Sequence, residues 1–183
     1  MSSKVVIVGA GAAGLMAAAC LTQAGIAVSL IESNSAVGKK ILISGGGRCN
    51  FTNTKASHNE LVSQNPHFSK SSLARYSASD FIDLVKKYNI SFHEKKLGQL
   101  FCDKSAKDIV NILLNECDRS LLDLRLNTKV LGLDSNLKVN TDKGDIEASH
   151  VIISSGGLSI PSIGASDIGL KIAKNFDMKL VET

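Results

Sequence analysis

The stretch Val5-Val6-Ile7-Val8-Gly9-Ala10-Gly11-Ala12-Ala13-Gly14 constrains the fold more than any other part of the chain. Four apolar residues break into three spaced glycines and then into an alanine-rich run, the order of strand, tight turn and helix. Gly9 can take a turn conformation that a side chain forbids, Gly11 lets the backbone approach a pyrophosphate, and Gly14 lets the helix pack closely on the strand. Ala12 and Ala13 stand at the helix start, where unpaired N–H groups and the positive end of the helix dipole favour phosphate. The helix is expected to run to about Ala24 with Gly25 closing it, and a second strand, Ile26 to Ile31, delivers Glu32 at its tip. A carboxylate about twenty residues beyond such glycines accepts a ribose hydroxyl. It would repel a 2′-phosphate, so this turn favours FAD or NAD over NADP.

Composition narrows the class. With 183 residues the chain makes one domain, or one with a small appendage, and 44% apolar residues fit a water-soluble α/β protein. A net charge of +4 carried by scattered lysines, with no Trp and few aromatics, offers no stacking platform or basic stripe, and the expectation is no nucleic-acid partner. The first strand begins within a few residues of Met1 and no apolar run is long enough to span a bilayer, so a cytoplasmic protein with no membrane partner is expected. Cys20, Cys49, Cys102 and Cys117 show no CxxC spacing and read as reduced thiols; no histidine has a second ligand at metal spacing, and no metal is expected.

A second glycine-rich stretch follows Glu32. Ile41-Leu42-Ile43 reads as strand-like and leads into Ser44-Gly45-Gly46-Gly47-Arg48-Cys49-Asn50-Phe51-Thr52-Asn53. Three consecutive glycines are costly to order, so the loop needs a reason: a backbone lying against a flat ligand or phosphates, with Arg48, Asn50 and Asn53 adding polar contacts. Cys49 beside Arg48 is a candidate thiolate, although a small packing residue is the better reading.

From Gly38 to Asn53 the sequence resembles the glycine block of the YhiN/BaiN-type family of NAD(P)/FAD-dependent oxidoreductases, departing at Lys39, where Arg is usual. The resemblance implies an α/β, Rossmann-like FAD-binding domain with a parallel sheet, flanking helices and an antiparallel β-meander. It also implies FAD, with its ADP half on Gly9, Gly11, Ala12, Ala13, Gly14 and Glu32. The flavin ring would lie near Lys40, Ser44, Gly45, Gly46, Gly47, Arg48 and Asn50, and Val130 would offer a backbone group to the adenine. NAD(P)H is the implied electron donor and a small organic molecule the acceptor, with hydride chemistry belonging to the flavin and no catalytic side chain assigned.

The remaining elements are read in order. Residues 54–72 are polar loop or short helix; Ser79 caps a helix through Tyr88; Ile90–Lys95 and Gln99–Cys102 form a hairpin; and Ser105-Ala106-Lys107-Asp108 opens a helix to about Arg119. The hairpin keeps the shape of the family's but lacks its Arg and Pro. Leu122–Leu126, Lys129–Leu133, Lys138–Thr141 and Ile146–Ser154 read as a small antiparallel layer. Val151 to Gly164 holds a buried strand ending in Ser154-Ser155-Gly156-Gly157, similar to the family's second glycine turn, with Ser155, Gly156 and Gly157 as candidate cofactor contacts. Ser166 caps a helix from Asp167 to Phe176, and Lys179–Thr183 begins another strand.

Members of the resembled family are more than twice as long. Residues 1–183 are therefore expected to be a truncated FAD/NAD(P)-binding domain without the inserted domain and C-terminal FAD segment, which a second polypeptide could supply. Alternative readings are an inactive FAD-binding remnant and a plain NAD-dependent dehydrogenase domain.

Overall fold

A computed structural model describes residues 4–160 and 163–181, and the chain divides into two units, residues 1–40 with 113–183 and residues 41–112. Along the chain run β1 (Val5–Val8), α1 (Ala12–Gln23), β2 (Val28–Ile31), α2 (Lys39–Ile43), β3 (Asn50–Asn53), α3 (Lys70–Arg75) and α4 (Ala78–Lys87). They are followed by β4 (Phe92–Glu94), β5 (Gln99–Cys102), α5 (Lys107–Asn115), β6 (Leu122–Arg125) and β7 (Val130–Leu133). The last are β8 (Lys138–Thr141), β9 (Ile146–Glu147), β10 (His150–Ile153) and α6 (Ile168–Asn175).

The first unit is built on a parallel sheet of order β10-β1-β2-β6, in which Val6 stands between Val151 and Ser29. All four residues of β1 and of β2 are buried; β1 is accordingly a continuous apolar run with no alternation, and in β2 the one polar residue, Ser29, donates its hydroxyl to the Asp123 carboxylate at 3.0 Å. Leu15, Ala18 and Ala19 of α1 are buried as well; the two alanines are small enough to let the helix lie close to the strands, and Leu15 fills the space between. A second, antiparallel sheet of order β7-β8-β9 buries Val139 and Ile146 with Val6 and Ile31 in one cluster.

The expected four-stranded antiparallel layer is corrected here. Leu122–Arg125 lies parallel to β2, with Val28 opposite Leu122, and the stretch Ile146–Ser154 divides between two sheets: β9 pairs with β8, whereas β10 runs parallel beside β1. In α6, Ile172 is the buried residue, and the cap position is Asp167, whose carboxylate makes no capping hydrogen bond and pairs instead with Lys171 Nζ at 3.0 Å. Residues 179–181 are not strand, and Pro161, Ser162, Glu182 and Thr183 lie outside the described residues.

The second unit carries an antiparallel sheet of order β3-β5-β4. Phe51 of β3 packs edge-on to Phe92 at 5.5 Å between ring centres and lies 6.0 Å from Phe81 of α4. Ser77, and not Ser79, caps α4. Its hydroxyl accepts from the Asp80 N–H, while the Asp80 carboxylate accepts from the Ser77 N–H at 2.6 Å. Ile41-Leu42-Ile43 is helical in α2: one buried residue, Ile41, anchors it, and Ile43 is exposed.

Candidate functional site

The three glycines of the β1–α1 turn are required for different reasons. Gly9 has φ +100, and a Cβ on it would stand 2.6 Å from the Ser154 carbonyl oxygen. A Cβ on Gly14 would overlap the Gly9 carbonyl oxygen. Gly11 has an ordinary φ of −81, and a Cβ there would meet no protein atom within 4 Å. Neither backbone geometry nor packing explains that glycine, and the open face beside it is the cradle that a closely approaching phosphate would fill. The start of α1 has no side-chain cap and no acidic residue in its first turn, so the N–H groups of Ala12 and Ala13 have no side-chain competitor at the cap.

Glu32 and the turn are tied directly. The Ala10 N–H donates to Glu32 Oε2 at 3.0 Å, and the Gly38 N–H donates to the Ala10 carbonyl at 2.8 Å. Glu32 is only 9% exposed. Its Oε1 accepts from the Ser33 hydroxyl at 3.3 Å, the Asn34 N–H at 2.9 Å and Asn34 Nδ2 at 2.7 Å. A carboxylate has about four acceptor positions. Each oxygen has about two of them: three donors crowd onto Oε1, whereas Oε2 meets only the Ala10 N–H, so the acceptor position that remains is on Oε2. Asn34 was not singled out from the sequence, although an Asn two residues after a carboxylate is the type that folds its amide back onto a turn.

The strand after Glu32 in space is the one that leads to Val130. Glu32 N–H donates to the Arg125 carbonyl at 2.9 Å, and the Glu32 carbonyl accepts from the Thr128 N–H at 3.0 Å. Val130 opens β7 opposite Thr141, just before a register shift. On the other side of β1, the Ser154 hydroxyl donates to the Val8 and Gly9 carbonyls, both at 2.9 Å. Ser155 is half-buried, whereas Gly156 (φ +74) and Gly157 are exposed with no atom near a would-be Cβ. Lys40 donates to the Ser159 hydroxyl at 2.8 Å.

In the second unit the glycine block forms a tight turn over Ser44–Gly47 with Gly45, Gly46 and Gly47 all at positive φ. A Cβ on Gly45 would collide with the Phe101 ring at 2.7 Å, while one on Gly46 would meet nothing. The turn is anchored by Ser44 Oγ to the Ile41 carbonyl at 2.7 Å and by the Cys49 N–H to the Ser44 carbonyl at 3.0 Å. The Arg48 side chain is exposed, and its carbonyl accepts from the Cys102 N–H at 3.0 Å. Asn50, with its amide turned to satisfy its neighbours, donates to the carbonyls of Leu100 at 3.2 Å and Thr52 at 3.1 Å. Asn53, expected to serve a ligand, holds the chain instead: it donates to the Leu97 carbonyl and accepts from the Lys55 N–H. Cys49 is buried, and that burial pushes its thiol up, against the lowering expected from Arg48.

The family model of the HI0933-like protein Rossmann domain matches residues 3–183. Ribosomal RNA dihydrouridine synthase of Escherichia coli (strain K12) is 46% identical over 181 residues, covering 97% of this chain and 45% of that protein. The protein of the same name from Haemophilus influenzae is 42% identical over 188 residues, 98% of this chain and 46% of its own. The 3-dehydro-bile acid delta(4,6)-reductase of Clostridium scindens is 25% identical, over 94% of this chain and 44% of that protein. Among solved structures, a flavocytochrome c3 fumarate reductase in its open conformation aligns with TM-score 0.65 and 19% identity over 95% of this chain and 40% of that one, a likeness of fold. The chain spans less than half the length of the relatives it matches.

One expectation is overturned. A small-molecule substrate with no nucleic-acid partner conflicts with two relatives above 40% identity that are both named for ribosomal RNA. Scattered charge was a poor guide because an electrostatic footprint belongs to a whole binding surface, and this chain covers under half of those proteins. Among the described residues no helix is long and apolar enough to cross a membrane.

Proposed function

The chain belongs to the HI0933-like Rossmann family, and from that premise we propose that it holds the FAD of an oxidoreductase that reduces uridine in ribosomal RNA. The observation that carries this reading is the 46% identity, over 97% of the chain, with the Escherichia coli ribosomal RNA dihydrouridine synthase. Dihydrouridine is uridine with its C5–C6 double bond saturated, so forming it consumes one hydride and one proton. The 3-dehydro-bile acid reductase is likewise named for reducing double bonds of a ketone-bearing skeleton. In both substrates the alkene is conjugated with a carbonyl, and this shared reaction class supports the reading across very different substrates.

Bound FAD would supply the chemistry, taking a hydride from NAD(P)H and passing it to the electron-poor alkene carbon. The chain's own residues bind and orient. The open face at Gly11 and the N–H groups of Ala12 and Ala13 take the pyrophosphate; the remaining acceptor on Glu32 Oε2 takes one ribose hydroxyl, held on target by the Ala10 N–H and Asn34. Val130 offers its backbone to the adenine, and Ser155, Gly156 and Gly157 line the same carboxyl end of the parallel sheet. Lys40, Ser44, Gly45, Gly46, Gly47, Arg48 and Asn50 are assigned to the flavin end, with Gly46 presenting bare backbone.

The test is nucleoside mass spectrometry of ribosomal RNA from cells without the gene. We expect dihydrouridine to fall and to return when the gene is restored. Unchanged dihydrouridine would reject the RNA substrate, and a purified protein that takes up no FAD would reject the cofactor.

A further inference from the structure

The β4–β5 hairpin of the second unit turns through Lys96-Leu97-Gly98, and the fold alone does not account for its tip. Leu97 sits at φ +60, a conformation that leucine adopts only against a steric cost, and its side chain is 78% exposed. Strain on an exposed apolar residue gives the fold nothing in return. The tip is nevertheless held firmly. Asn53 Nδ2 donates to the Leu97 carbonyl at 3.1 Å, the Thr54 N–H to the Gly98 carbonyl at 2.9 Å, and the Lys95 N–H to the Gln99 carbonyl at 2.8 Å. Gly98, at φ +83, leaves no room for a side chain, because a Cβ would stand 2.5 Å from Thr54 Oγ1.

Three exposed lysines surround this leucine. Lys96 is in the turn itself; Lys95 Nζ lies 4.3 Å from the centre of the Phe101 ring; and Lys55 Cγ is 3.3 Å from where a Gly98 Cβ would be. Glu94 is the acid on the same hairpin, so positive charge prevails at the tip. A lone exposed leucine would suit a protein partner, but one ringed by cations suits a polyanion that also has flat apolar faces.

We infer that this hairpin is an RNA-docking finger, in which Lys55, Lys95 and Lys96 meet phosphates and Leu97 wedges against a base to unstack the neighbouring nucleotide. The inference rests on the RNA reading above. Reduction at C5–C6 needs access to the face of the uracil ring, which stacking covers, and enzymes that act on a base take it out of the stack. Apolar side chains inserted between bases perform that unstacking elsewhere, and a wedge must be rigid, as the tied and strained turn is here.

The full chain, loaded with FAD, is titrated with an RNA hairpin carrying 2-aminopurine beside a loop uridine. Wild type should bind with a rise in 2-aminopurine fluorescence, the sign of unstacking. Leu97→Asn tolerates the left-handed backbone and removes the apolar wedge, so it should keep its unfolding midpoint and FAD uptake yet lose the fluorescence rise. Lys55→Glu and Lys96→Glu should each weaken binding and lower the slope of log affinity against log salt by about one. Wild-type binding with an undiminished signal in Leu97→Asn overturns the wedge. A fall in the midpoint of Leu97→Asn with RNA affinity intact shows that protein covers the tip, and overturns it too. No RNA binding by wild type defeats the substrate reading itself.

Discussion

Gly9, Gly11 and Gly14 look alike in the sequence and differ in what each is for. At Gly9 the protein itself demands glycine, through φ +100 and a Ser154 carbonyl in the way; at Gly11 the protein demands nothing. Substituting alanine separates these roles. Gly9→Ala should destabilise the fold by about 1–3 kcal/mol, the cost of a left-handed non-glycine residue that also meets backbone. Gly11→Ala should leave the unfolding midpoint unchanged and weaken FAD binding by about tenfold or more, the loss of one good charge-assisted contact. Thermal unfolding and flavin titration of both variants check the split, which fails if Gly11→Ala unfolds early or binds normally. The buried thiols make a second residue-scale case. Burial first, then the nearby Cys49, Asp108 and Asp103, push the Cys102 thiol up to about 12 from an ordinary 9.0. Below pH 9 both folded and unfolded chains keep the proton; from 9 towards 12 the unfolded chain releases it and the folded chain does not. Stability should therefore fall with rising pH across that window, and Cys102→Ala should flatten the decline. A pH series of unfolding midpoints in the two proteins measures this, and equal slopes would refute it.

Helix α4 shows how much one cap controls an element. Its ends carry what a helix asks for, Asp80 in the first turn and Lys86 with Lys87 in the last, and Ser77 closes the box with Asp80. Ser77→Ala should lower the unfolding midpoint by about 2–4 °C, the effect of losing a cap in a chain of this size. The Ser77 N–H and hydroxyl also hold the Asp80 carboxyl below its ordinary 3.8, so that contribution is present above pH 3.8 and is lost as pH falls lower. A wild-type midpoint matched by Ser77→Ala at neutral pH would remove the box from the argument. Elements like the β1–α1–β2 start were legible in the sequence to within two residues, because glycine spacing and buried apolar runs are local signals. Ser79 was mistaken for the cap because either serine can accept from an N–H; only the reach of Asp80 back to Ser77 chooses between them. Ile41-Leu42-Ile43 was misread for the reason that three apolar residues carry no period. The pairing of Leu122–Arg125 with β2 was invisible, since a strand's partner is set by the whole sheet and not by the strand.

At the scale of the molecule, the candidate site was legible wherever glycine or carboxylate chemistry is local: Gly9, Gly11, Gly14, Glu32 and the block from Ser44 to Asn50. What the sequence hid was the set of supports that bind those residues together, such as Asn34 on Glu32 and Ser154 on Gly9, because they join positions distant along the chain or rely on one amide turning inward. The proposed substrate left no mark in the sequence, since no local pattern separates an RNA uridine from a free enone. The site geometry still makes a claim about which half of the cofactor this chain recognises. Every feature that favours a ligand in the first unit, the open Gly11 face, the uncapped start of α1 and the remaining acceptor on Glu32, is matched to pyrophosphate and ribose. ADP alone should therefore raise the unfolding midpoint, as FAD should, whereas FMN, which lacks the AMP half, should not. At a hundred times its dissociation constant a ligand adds about 2.7 kcal/mol of stability. For a chain of this length that is about 5–10 °C, well within reach of a thermal-shift measurement. A 2′-phosphorylated ADP should be inert, because its extra charge would meet the Glu32 carboxylate. Protection by FMN without protection by ADP would move the principal hold from the β1–α1 turn to the glycine block around Gly46, and the assignment of Glu32 would fall with it.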